Sequence, residues 1–351
     1  MIEKMMMIQW QILQDFTKKV FVLAGMPDEA AKIEADVLIW ANLRGVDSHG
    51  VLRIPWYVVN IDAGIMNPKP DIKIVSETVA TALIDADKAL GPVVTVFAMQ
   101  KAIDKAKDVG IGWCQIRNVT HQGAMGYYSQ LVSKNDMAGI AIACHPPNTA
   151  PHGARVPGVH NSPIAISVPA KSYAPLNLDM ATSVVAGGKI SLAIDKNISI
   201  PLGWALDNNG APTTDPKSVG AFLPIAGPKG SGLALMFECL TGVMVGNPLL
   251  EPVLEGQRSA KYHIQNSIVA AIDISHFTDV DKYKEHIDSL IKGIKSLPKA
   301  DGFEEIFVPG EPEERTCALR MKEGIPLPEG TVVNLKQVCD KYGIKLPKME
   351  K

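Results

Sequence analysis

The fold class is decided by the stretch VVTVFAMQKAIDKAKDVGIGWCQI, residues 93–116. Its first two thirds predict a helix, because Met99, Ala102 and Ala106 repeat at the spacing of one helical face. Its last four residues have the short apolar character of a buried strand. A helix joined to a strand in this way is typical of α/β proteins.

Strand-like and helical patterns alternate on both sides of this stretch. Predicted strands lie at 72–75, 80–85, 113–116, 139–143, 164–168 and 268–272. Predicted helices lie at about 93–109, 123–135, 183–193, 230–245 and 281–294. The segments 8–23, 28–41 and 51–61 are predicted to be helical, and the C-terminal part irregular from about 301 onward, apart from a short helix over 333–342. We therefore expect an α/β protein that begins with a helical part.

Composition and charge exclude several classes of protein. The 351 residues include 35 basic and 37 acidic side chains, a net charge of −2, which disfavours a nucleic-acid-binding protein. Hydrophobic residues make up 46% and charged residues 21%, so the chain does not have the composition of a disordered protein. The apolar segment 231–250 contains Glu238 and predicts a buried helix, not a membrane span.

The cysteines and the N-terminus bear on the compartment. The five cysteines stand far apart without a C-x-x-C pair, which predicts neither a disulfide framework nor a cysteine zinc site. The first residues lack the basic start, apolar middle and small-residue cleavage site of a signal peptide. We therefore expect a cytoplasmic protein in a reducing environment.

The common nucleotide-binding and hydrolase motifs are missing from the sequence. It contains no G-x-G-x-x-G, P-loop, H-E-x-x-H or G-x-S-x-G pattern. The nearest glycine cluster, Gly227–Gly232, precedes a predicted helix and contains Lys229. Its N–H groups and the lysine could bind an anion at the helix N-terminus, or the segment could be a plain turn.

One polar turn carries residues suited to a carboxylate substrate. Asp47, Ser48 and His49 crowd a glycine-bounded turn, and Arg53 follows four residues after the histidine. Arginine can clamp a carboxylate with two hydrogen bonds, and histidine can transfer a proton near neutral pH. The alternative is a helix-capping turn with a surface arginine.

Two further residues lie where strands are predicted to end. His121 follows a predicted strand, at a position where α/β proteins often place their active sites. Asp179 follows the apolar run 175–178 and could bind ribose hydroxyl groups or cap the next helix. The pattern alone favours neither function for this carboxylate.

Taken together, these segments resemble the malate/L-lactate dehydrogenase family of the non-Rossmann type. They are Asp47–Gly50 with Arg53, Asn118–His121, Leu178–Thr182, Pro201–Asp207, Gly210–Pro216 and Leu223–Gly230. The resemblance runs from the first helix to about Arg315 and so covers nearly the whole chain. Family members include ureidoglycolate dehydrogenase, L-sulfolactate dehydrogenase, diketogulonate reductase and some cyclic-imine reductases.

The resemblance implies an enzyme that moves a hydride between NAD(P) and a small 2-hydroxy acid or 2-keto acid. It implies a homodimer whose cofactor domain has a mixed, largely antiparallel sheet in place of the Rossmann topology. The division expected is a cofactor-binding α/β domain at 76–299 and a mainly helical domain formed by 1–75 and 300–351. NAD is favoured over NADP, since Asp179 near the ribose would repel a 2′-phosphate.

The resemblance also implies roles for individual residues. His121 is expected to be the base for alcohol oxidation, with His49 and Ser48 hydrogen-bonding the substrate. Arg53 would hold the carboxylate, and Tyr57 would line the pocket. The expected cofactor-binding residues are His145, Asp179, Met180, Ala181, Lys229, Gly310, Glu311 and Pro312. No metal, nucleic acid or membrane is expected to take part.

The chain departs from the family pattern in a few places. Family members often have Gly-Thr-Asn-Pro where this chain has His160-Asn-Ser-Pro163. His145 and Pro146 stand where ureidoglycolate dehydrogenase has Ser and Asp, which weakens that substrate assignment. Three alternatives stay open: a cyclic ketimine reductase, a metal-dependent lyase or hydrolase built on Asp47, His49 and His121, and a binding protein without activity.

Overall fold

A computed structural model describes residues 5–195, 197–257 and 263–350. The strands are β1 (Met5–Ile8), β2 (Lys73–Glu77), β3 (Thr81–Asp85), β4 (Ile111–Val119), β5 (Met137–Cys144), β6 (Ile164–Val168), β7 (Leu176–Met180), β8 (Ala205–Asp207), β9 (Pro212–Thr213), β10 (Val219–Phe222), β11 (Gln265–Asp273) and β12 (Ile325–Pro328). The helices are α1 (Trp10–Leu23), α2 (Asp28–Leu43), α3 (Ile54–Asp62), α4 (Gly91–Val109), α5 (Gly126–Ser133), α6 (Gly187–Asp195), α7 (Pro228–Glu238), α8 (Glu251–Leu254), α9 (Val280–Lys295), α10 (Glu311–Glu323) and α11 (Glu329–Tyr342).

The main sheet has seven strands in the order β2-β3-β4-β11-β5-β6-β7. Only β3 and β4 run parallel, and the other neighbours in this sheet are antiparallel. This arrangement differs from a doubly wound parallel sheet with its crossover helices on both faces. The prediction of a mixed, largely antiparallel α/β fold is therefore confirmed.

The deciding stretch forms most of α4 and of β4, the third strand of the sheet. The predicted helical face is buried, since Met99, Ala102 and Ala106 have no exposed surface. Gly110 ends the helix in the left-handed region at φ 86°, a conformation that favours glycine. Gly112 then lies so close to Ala102 that a Cβ atom would overlap the helix backbone. Helix α4 therefore packs directly against strand β4 of the sheet.

The two ends of the chain share one hydrophobic core. It joins Leu13, Leu38 and Tyr57 from the N-terminal helices with Leu335 and Val338 from α11. Strands β1 and β12 pair antiparallel beside it. The helical part expected from the N- and C-terminal segments is present in the structure.

The prediction of irregular structure after residue 301 is wrong for 311–323, which form α10. Pro312 occupies the second position of this helix, where a missing N–H costs no hydrogen bond. Glu311, Glu313 and Glu314 lie in its first turn, where the helix dipole favours acidic residues. The proline and the acidic run were therefore signals of a helix start.

Other element boundaries also move. The helix predicted at 183–193 begins at 187, because Ser183 and Val184 pair with the segment 223–224. The helix predicted at 123–135 begins at 126, after Gly123 with φ 70°. The helix predicted at 230–245 is α7 followed by a π-helical segment at Cys239–Val243. Within the described ranges, no helix is long and apolar enough to cross a membrane.

Candidate active site

The polar turn after α2 is built by one asparagine. Asn42 Oδ1 accepts from the N–H of Val51 at 2.8 Å, and its Nδ2 donates to Asp47 Oδ1 at 2.6 Å. Gly50 lies so close to this amide that a Cβ atom would overlap it. The chain therefore folds as two short 3-10 turns, Asp47–His49 and Val51–Arg53, on the end of the helix.

Asp47 anchors this turn to the C-terminal part of the chain. Its carboxylate accepts from Arg320 of α10 at 2.7 and 3.0 Å, and the same guanidinium donates to the carbonyl of Asn42. Charge-assisted, two-pronged pairs of this kind hold geometry well. Asp47 is thus a positioning residue, and Arg320, which the sequence analysis missed, is its partner.

Ser48, His49 and Arg53 form one local cluster. Ser48 Oγ and His49 Nδ1 share a hydrogen bond of 2.9 Å, and Arg53 Nε donates to the Ser48 carbonyl at 2.7 Å. No described residue bonds the two terminal nitrogens of Arg53, so both can meet a carboxylate. Gly188, at the start of α6, leaves no room for a Cβ atom beside Ser48.

His121 lies just after β4, as predicted, and its ring is held by two donors. Tyr57 Oη is 2.6 Å from His121 Nδ1, and the Gly123 N–H donates to the same nitrogen at 3.3 Å. Since a backbone N–H can only donate, Nδ1 is an acceptor and the neutral ring carries its proton on Nε2. Nε2 is therefore the nitrogen left to act on a substrate oxygen.

The rings of His49 and His121 stack on each other. Their centroids are 5.6 Å apart at an interplanar angle of 17°, and Trp56 meets His121 edge-on at 5.8 Å. Burial and then the charge of Arg53 lower the pKa of His49 to about 4. The same causes, in the same order, hold the pKa of His121 well below its usual range. Both imidazoles are neutral at pH 7.

This arrangement suits proton transfer beside a bound carboxylate. The charge of Arg53 acts on both stacked imidazoles, and the fully buried Tyr57 holds one of them through its hydrogen bond to His121. Burial raises the pKa of Tyr57 well above its usual range, so the phenol stays protonated. The structure thus brings together Ser48, His49, Arg53, Tyr57 and His121, which the sequence analysis assigned to catalysis.

Three of the predicted cofactor-binding residues, Asp179, Met180 and Ala181, lie around the end of β7. Asp179 is exposed there, and its Oδ2 accepts from the Gly126 N–H at 2.7 Å. Met180 pairs with Ile164 of β6, and Ala181 follows it half-buried. This edge of the sheet therefore presents a carboxylate at the N-terminus of α5.

The glycine-rich segment meets the same edge. Gly230 lies against the carbonyls of Ile225 and Thr182 so closely that a Cβ atom would not fit. The N–H of Ile225 also donates to Thr182 at 2.8 Å. Lys229 stands exposed in the first turn of α7, beside Gly227 with φ 58°. The N-terminus of α7 with Lys229 thus lies beside Thr182, which follows the end of β7 by two residues. The positive end of a helix together with a lysine suits an anionic group.

His145 directly follows β5, and burial lowers its pKa. Its Nδ1–H donates to the Pro146 carbonyl at 2.7 Å, and its Nε2 is bonded to Asn161 Oδ1. The segment that departs from the family pattern therefore holds this histidine through Asn161.

The neighbours of Asn161 are buried and bonded to each other. His160 Nε2 lies 3.4 Å from Glu238 Oε2, and its Nδ1 is bonded to Ser162 Oγ. Glu238 Oε1 accepts from the N–H groups of Leu249 and Leu250 at 2.6 and 3.1 Å. His160 and Ser162 have no exposed surface, so they support the loop from within.

The loop at 310–312 returns to β7, but its carboxylate is engaged elsewhere. Gly310, with φ 86°, packs on Asn177, and the Asn177 N–H donates to the Pro309 carbonyl at 3.1 Å. Glu311 binds Lys295 at 2.7 Å and Arg315 at 2.6 Å, and Pro312 is exposed. Only the backbone of this loop is thus placed beside the predicted cofactor strand.

The metal-dependent alternative lacks a cluster of ligands. In the part of the chain that the structure describes, no group of three or more His, Cys, Asp or Glu side chains could hold a metal ion. Asp47, which that alternative uses, is committed to Arg320.

The chain is similar to known dehydrogenases over nearly its whole length. A family model described as malate/L-lactate dehydrogenase matches residues 8–336. L-sulfolactate dehydrogenase of Methanocaldococcus jannaschii is 42% identical over 327 residues, 92% of this chain and 93% of that protein. Its solved structure superposes with a TM-score of 0.86 at 39% identity, covering 97% of this chain and 98% of that one.

Two further relatives have names that bear on substrate and cofactor. Malate/(S)-sulfolactate dehydrogenase of Methanothermus fervidus is 39% identical and covers 93% of this chain and 96% of that protein. Ureidoglycolate dehydrogenase (NAD(+)) of Escherichia coli strain K12 is 31% identical and covers 92% of this chain and 93% of that protein.

Proposed function

This chain belongs to the malate/L-lactate dehydrogenase family, and from that premise we propose which substrate, cofactor and residues its reaction uses. It is an oxidoreductase that interconverts a 2-hydroxy acid and a 2-keto acid with a nicotinamide cofactor. The single observation that carries the finer proposal is the cluster of Arg53, His49, His121 and Tyr57. We propose that this cluster is the substrate site.

We propose L-sulfolactate and malate as the preferred substrates. Both are 2-hydroxy acids that carry a second anionic group, and they appear in the names of two similar proteins. Arg53 would bind the carboxylate next to the reacting carbon. Among the residues that the structure describes, no carboxylate is hydrogen-bonded or ion-paired to Arg53, His49, His121 or Tyr57, and this favours a substrate with a second anionic group.

The residues around β7 and α7 fit a dinucleotide. The N-terminus of α7 with Lys229 suits phosphate groups, and the glycine at 230 lets it approach the strand end. Asp179 uses one oxygen for Gly126, and its Oδ1 has no partner among the residues described. That oxygen can accept from a ribose hydroxyl, and it would repel a 2′-phosphate, so we propose NAD as the cofactor.

The remaining predicted cofactor residues take smaller parts in this proposal. Met180 and Ala181 would line the strand end, and His145 would face the nicotinamide side of the cluster. The backbone of Gly310–Pro312 would close the cofactor site, with Glu311 bound to Lys295.

The chemistry follows from the geometry of His121. When bound, the nicotinamide takes up or supplies the hydride at C2 of the substrate. In reduction, Nε2–H of His121 donates to the keto oxygen and gives it a proton as the hydroxyl group forms. In oxidation, the ring takes its other neutral tautomer, with Nδ1–H donating to Tyr57 Oη, so that Nε2 is unprotonated and accepts the hydroxyl proton. Arg53 and His49 hold the substrate so that C2 faces the cofactor, and this orientation supplies much of the rate.

We also propose that the protein is a homodimer through the surface of α7 and the π-helical segment. Leu235, Met236, Val243 and Met244 on this surface are each about half exposed. An apolar patch of this kind is typical of a protein–protein interface. Sedimentation of the wild type beside Met236→Lys tests this: the wild type is expected at the mass of two chains and the variant at that of one.

The division into domains and the compartment are proposals as well. The core shared by both chain ends supports a helical domain formed by 1–75 and 300–351 next to a cofactor domain at 76–299. The five cysteines are free thiols, four of them buried, which supports a reducing cytoplasm.

Initial rates test the proposed function. The wild type is assayed in both directions, with NAD(H) and NADP(H), on sulfolactate, malate, lactate, ureidoglycolate and a cyclic imino acid. We expect the highest kcat/KM with L-sulfolactate or malate and NAD. A higher kcat/KM for lactate or for the cyclic imino acid would contradict the proposed substrate class.

A further inference from the structure

A buried histidine and a buried glutamate form an ion pair that the reaction described above does not use. His160 has no exposed surface, and Glu238 is 3% exposed. His160 Nε2 lies 3.4 Å from Glu238 Oε2, and neither atom has a hydrogen-bond partner among the residues described. A charge that is buried without a partner is costly, so each of these side chains depends on the other.

The contacts around this pair favour its charged form. Glu238 Oε1 accepts from the N–H groups of Leu249 and Leu250 at 2.6 and 3.1 Å, and two backbone donors stabilise a carboxylate. Burial lowers the pKa of His160, but Cys144 and Glu238 outweigh burial and raise this pKa to about 9. At neutral pH the pair therefore consists of a carboxylate and an imidazolium.

The pair fixes the loop before β6 to the C-terminal end of α7. Glu238 is the last residue of this helix, and His160 stands four residues before β6 begins. Within the loop, His160 Nδ1 is also bonded to Ser162 Oγ. The imidazolium thus connects the loop to the helix from inside the protein.

Main-chain hydrogen bonds tie the same loop to the N-terminal end of α7. The Thr182 N–H donates to the Asn161 carbonyl at 2.8 Å, and the Ile225 N–H donates to the Thr182 carbonyl at 2.8 Å. The Gly230 N–H, in the first turn of α7, donates to the Ile225 carbonyl at 3.0 Å. The loop is therefore held at both ends of the helix that carries Lys229.

The side chain of Asn161 holds His145 in one orientation. Asn161 Oδ1 is bonded to His145 Nε2, and His145 Nδ1 donates to the Pro146 carbonyl at 2.7 Å. Both ring nitrogens are thus engaged by the protein, and a shift of Asn161 would release one of them. The ring centroids of His145 and His160 are 6.0 Å apart, so the buried pair lies directly beside this histidine.

The register of the main sheet places His145 between the reacting histidine and the cofactor strand. Strands β4 and β5 are both antiparallel to β11, and β5 and β7 are both antiparallel to β6, so β4, β5 and β7 run in one direction. Their C-terminal ends lie at one edge of the sheet, with His121 beyond β4, His145 beyond β5 and Met180 at the end of β7. Strand β5 is two strand spacings, about 10 Å, from each of the other two.

The turn that carries Arg53 is held by other contacts. Arg53 Nε donates to the Ser48 carbonyl, and Asp47 pairs with Arg320 of α10. These bonds run within the turn and to α10, and not to the loop before β6. A disturbed ion pair should therefore change how the cofactor is held and leave the binding of the substrate carboxylate as it is.

We propose that His160 and Glu238 are positioning residues of the hydride transfer, because they hold Asn161 and His145 where the nicotinamide and C2 of the substrate meet. This inference rests on the proposed function and adds the loop before β6 to its site. Both side chains are buried and touch neither substrate nor cofactor, so they act through Asn161.

Cofactor titration without turnover tests this role. Glu238→Gln keeps the size of the side chain and removes the charge that holds His160. The Kd for NADH, followed by its fluorescence, should rise by about 10-fold. The kcat should fall by about 10-fold and the KM for the 2-keto acid should stay unchanged, because only the alignment of the cofactor is disturbed. A Glu238→Gln enzyme with the wild-type Kd and kcat would overturn the inference.

Thr241→Val is the matched control for a purely structural effect. Thr241 is buried three residues after Glu238, and its Oγ1 donates to the Phe237 carbonyl at 2.9 Å. The variant should lower Tm, as Glu238→Gln does, and keep the wild-type Kd for NADH. An equal rise of the Kd in both variants would show that the pair acts only through stability, and would overturn the inference.

The pH dependence of cofactor binding provides a second test. The titratable groups that face His160 are Cys144 and His145 at the end of β5 and Glu238 of α7. The ion pair lasts while His160 is protonated and is lost as the pH rises through about 9. The wild-type Kd for NADH should therefore rise above this pH, and Glu238→Gln should lack the step. The same step in both enzymes would come from another group, such as Lys229, and would overturn the inference.

Histidine NMR measures the charge of the pair directly. In the wild type, His160 should give an imidazolium signal at pH 8, which is identified by its loss in His160→Gln, and Glu238→Gln should contain a neutral ring instead. A neutral His160 at pH 8 in the wild type would overturn the inference. If Glu238→Gln does not fold, the wild type decides: the Kd must rise at the pH where His160 loses its proton, and a Kd that is flat there overturns the inference. A wild type that binds neither NADH nor NADPH would instead refute the proposed function.

Discussion

The buried carboxyl of Glu34 makes the stability of the protein depend on pH in a calculable way. Replacing it by glutamine keeps the shape of the side chain and removes the titration. We expect Glu34→Gln to be more resistant to denaturation than the wild type at pH 8, and to differ much less from it at pH 6. Above the pKa that Glu34 has in the unfolded chain, folding of the wild type requires either the burial of a charged carboxylate or the uptake of a proton. Both cost free energy, and glutamine avoids both.

The magnitude follows from the two pKa values. The ordinary value is 4.5, and in the folded protein burial raises it to about 8. A raised pKa contributes stability that is fully present below pH 4.5 and is lost as the pH rises through about 8. At 1.36 kcal/mol per pH unit, the full loss is about 5 kcal/mol, of which about 2 kcal/mol falls between pH 6 and 8.

Urea denaturation at pH 6 and pH 8 measures this difference. The wild type should lose about 2 kcal/mol more free energy of unfolding than Glu34→Gln over that interval. Glu77→Gln is the matched control, because Glu77 is exposed and pairs with Lys105, which lowers its pKa. It should follow the wild type at both pH values. Parallel losses in the wild type and Glu34→Gln would refute the reasoning.

Three further predictions concern the residues of the cluster. His121→Ala should lower kcat by at least about 10²-fold while cofactor binding, followed by fluorescence, is retained; an unchanged kcat would remove the proton-transfer role. Arg53→Lys should chiefly raise KM for a 2-hydroxy acid, because a point charge replaces a two-pronged clamp; steady-state kinetics with an unaltered KM would contradict that. Arg320→Met should reduce the free energy of unfolding by about 2 kcal/mol and also raise KM, since it frees Asp47 and the turn before His49. A variant with wild-type KM would show that the turn holds its shape without α10.

Local parts of the site could be predicted from the sequence. The turn 47–53 contains Ser48, His49 and Arg53 within six residues, so its chemistry is visible in one short segment. His121 could be placed because it follows a strand whose apolar run is easy to recognise. In both cases the pattern and the chemistry lie next to each other in the chain.

Contacts between distant segments could not be predicted in the same way. Arg320 reaches Asp47 across 273 positions, and Tyr57 reaches His121 across 64. Glu34 looks like an ordinary polar residue of a helix, because only the packing of the two cores reveals that its side of α2 is covered. The raised pKa of this carboxyl group comes from burial, which the residue type alone does not reveal.

The fold shows the same limit. The sheet strands of five to nine residues were located from their apolar runs, whereas β8, β9 and β10 have two to four residues and carry no recognisable alternation. They are held together by hydrogen bonds from neighbouring segments, such as Ala150 to Phe222. The start of α10 carried clear signals in its proline and acidic residues, but the nearby Gly310 suggested a loop.

The central claim is that the chain moves a hydride from C2 of a 2-hydroxy acid to a nicotinamide while His121 takes the hydroxyl proton. Malate and sulfolactate labelled with deuterium at C2 test it most directly, with the reduced cofactor isolated and analysed by NMR. The account predicts that the wild type places the deuterium on the nicotinamide ring, and that His121→Ala does so at least about 10²-fold more slowly. Reduced cofactor without the label, or no reduction with either acid, would contradict the account.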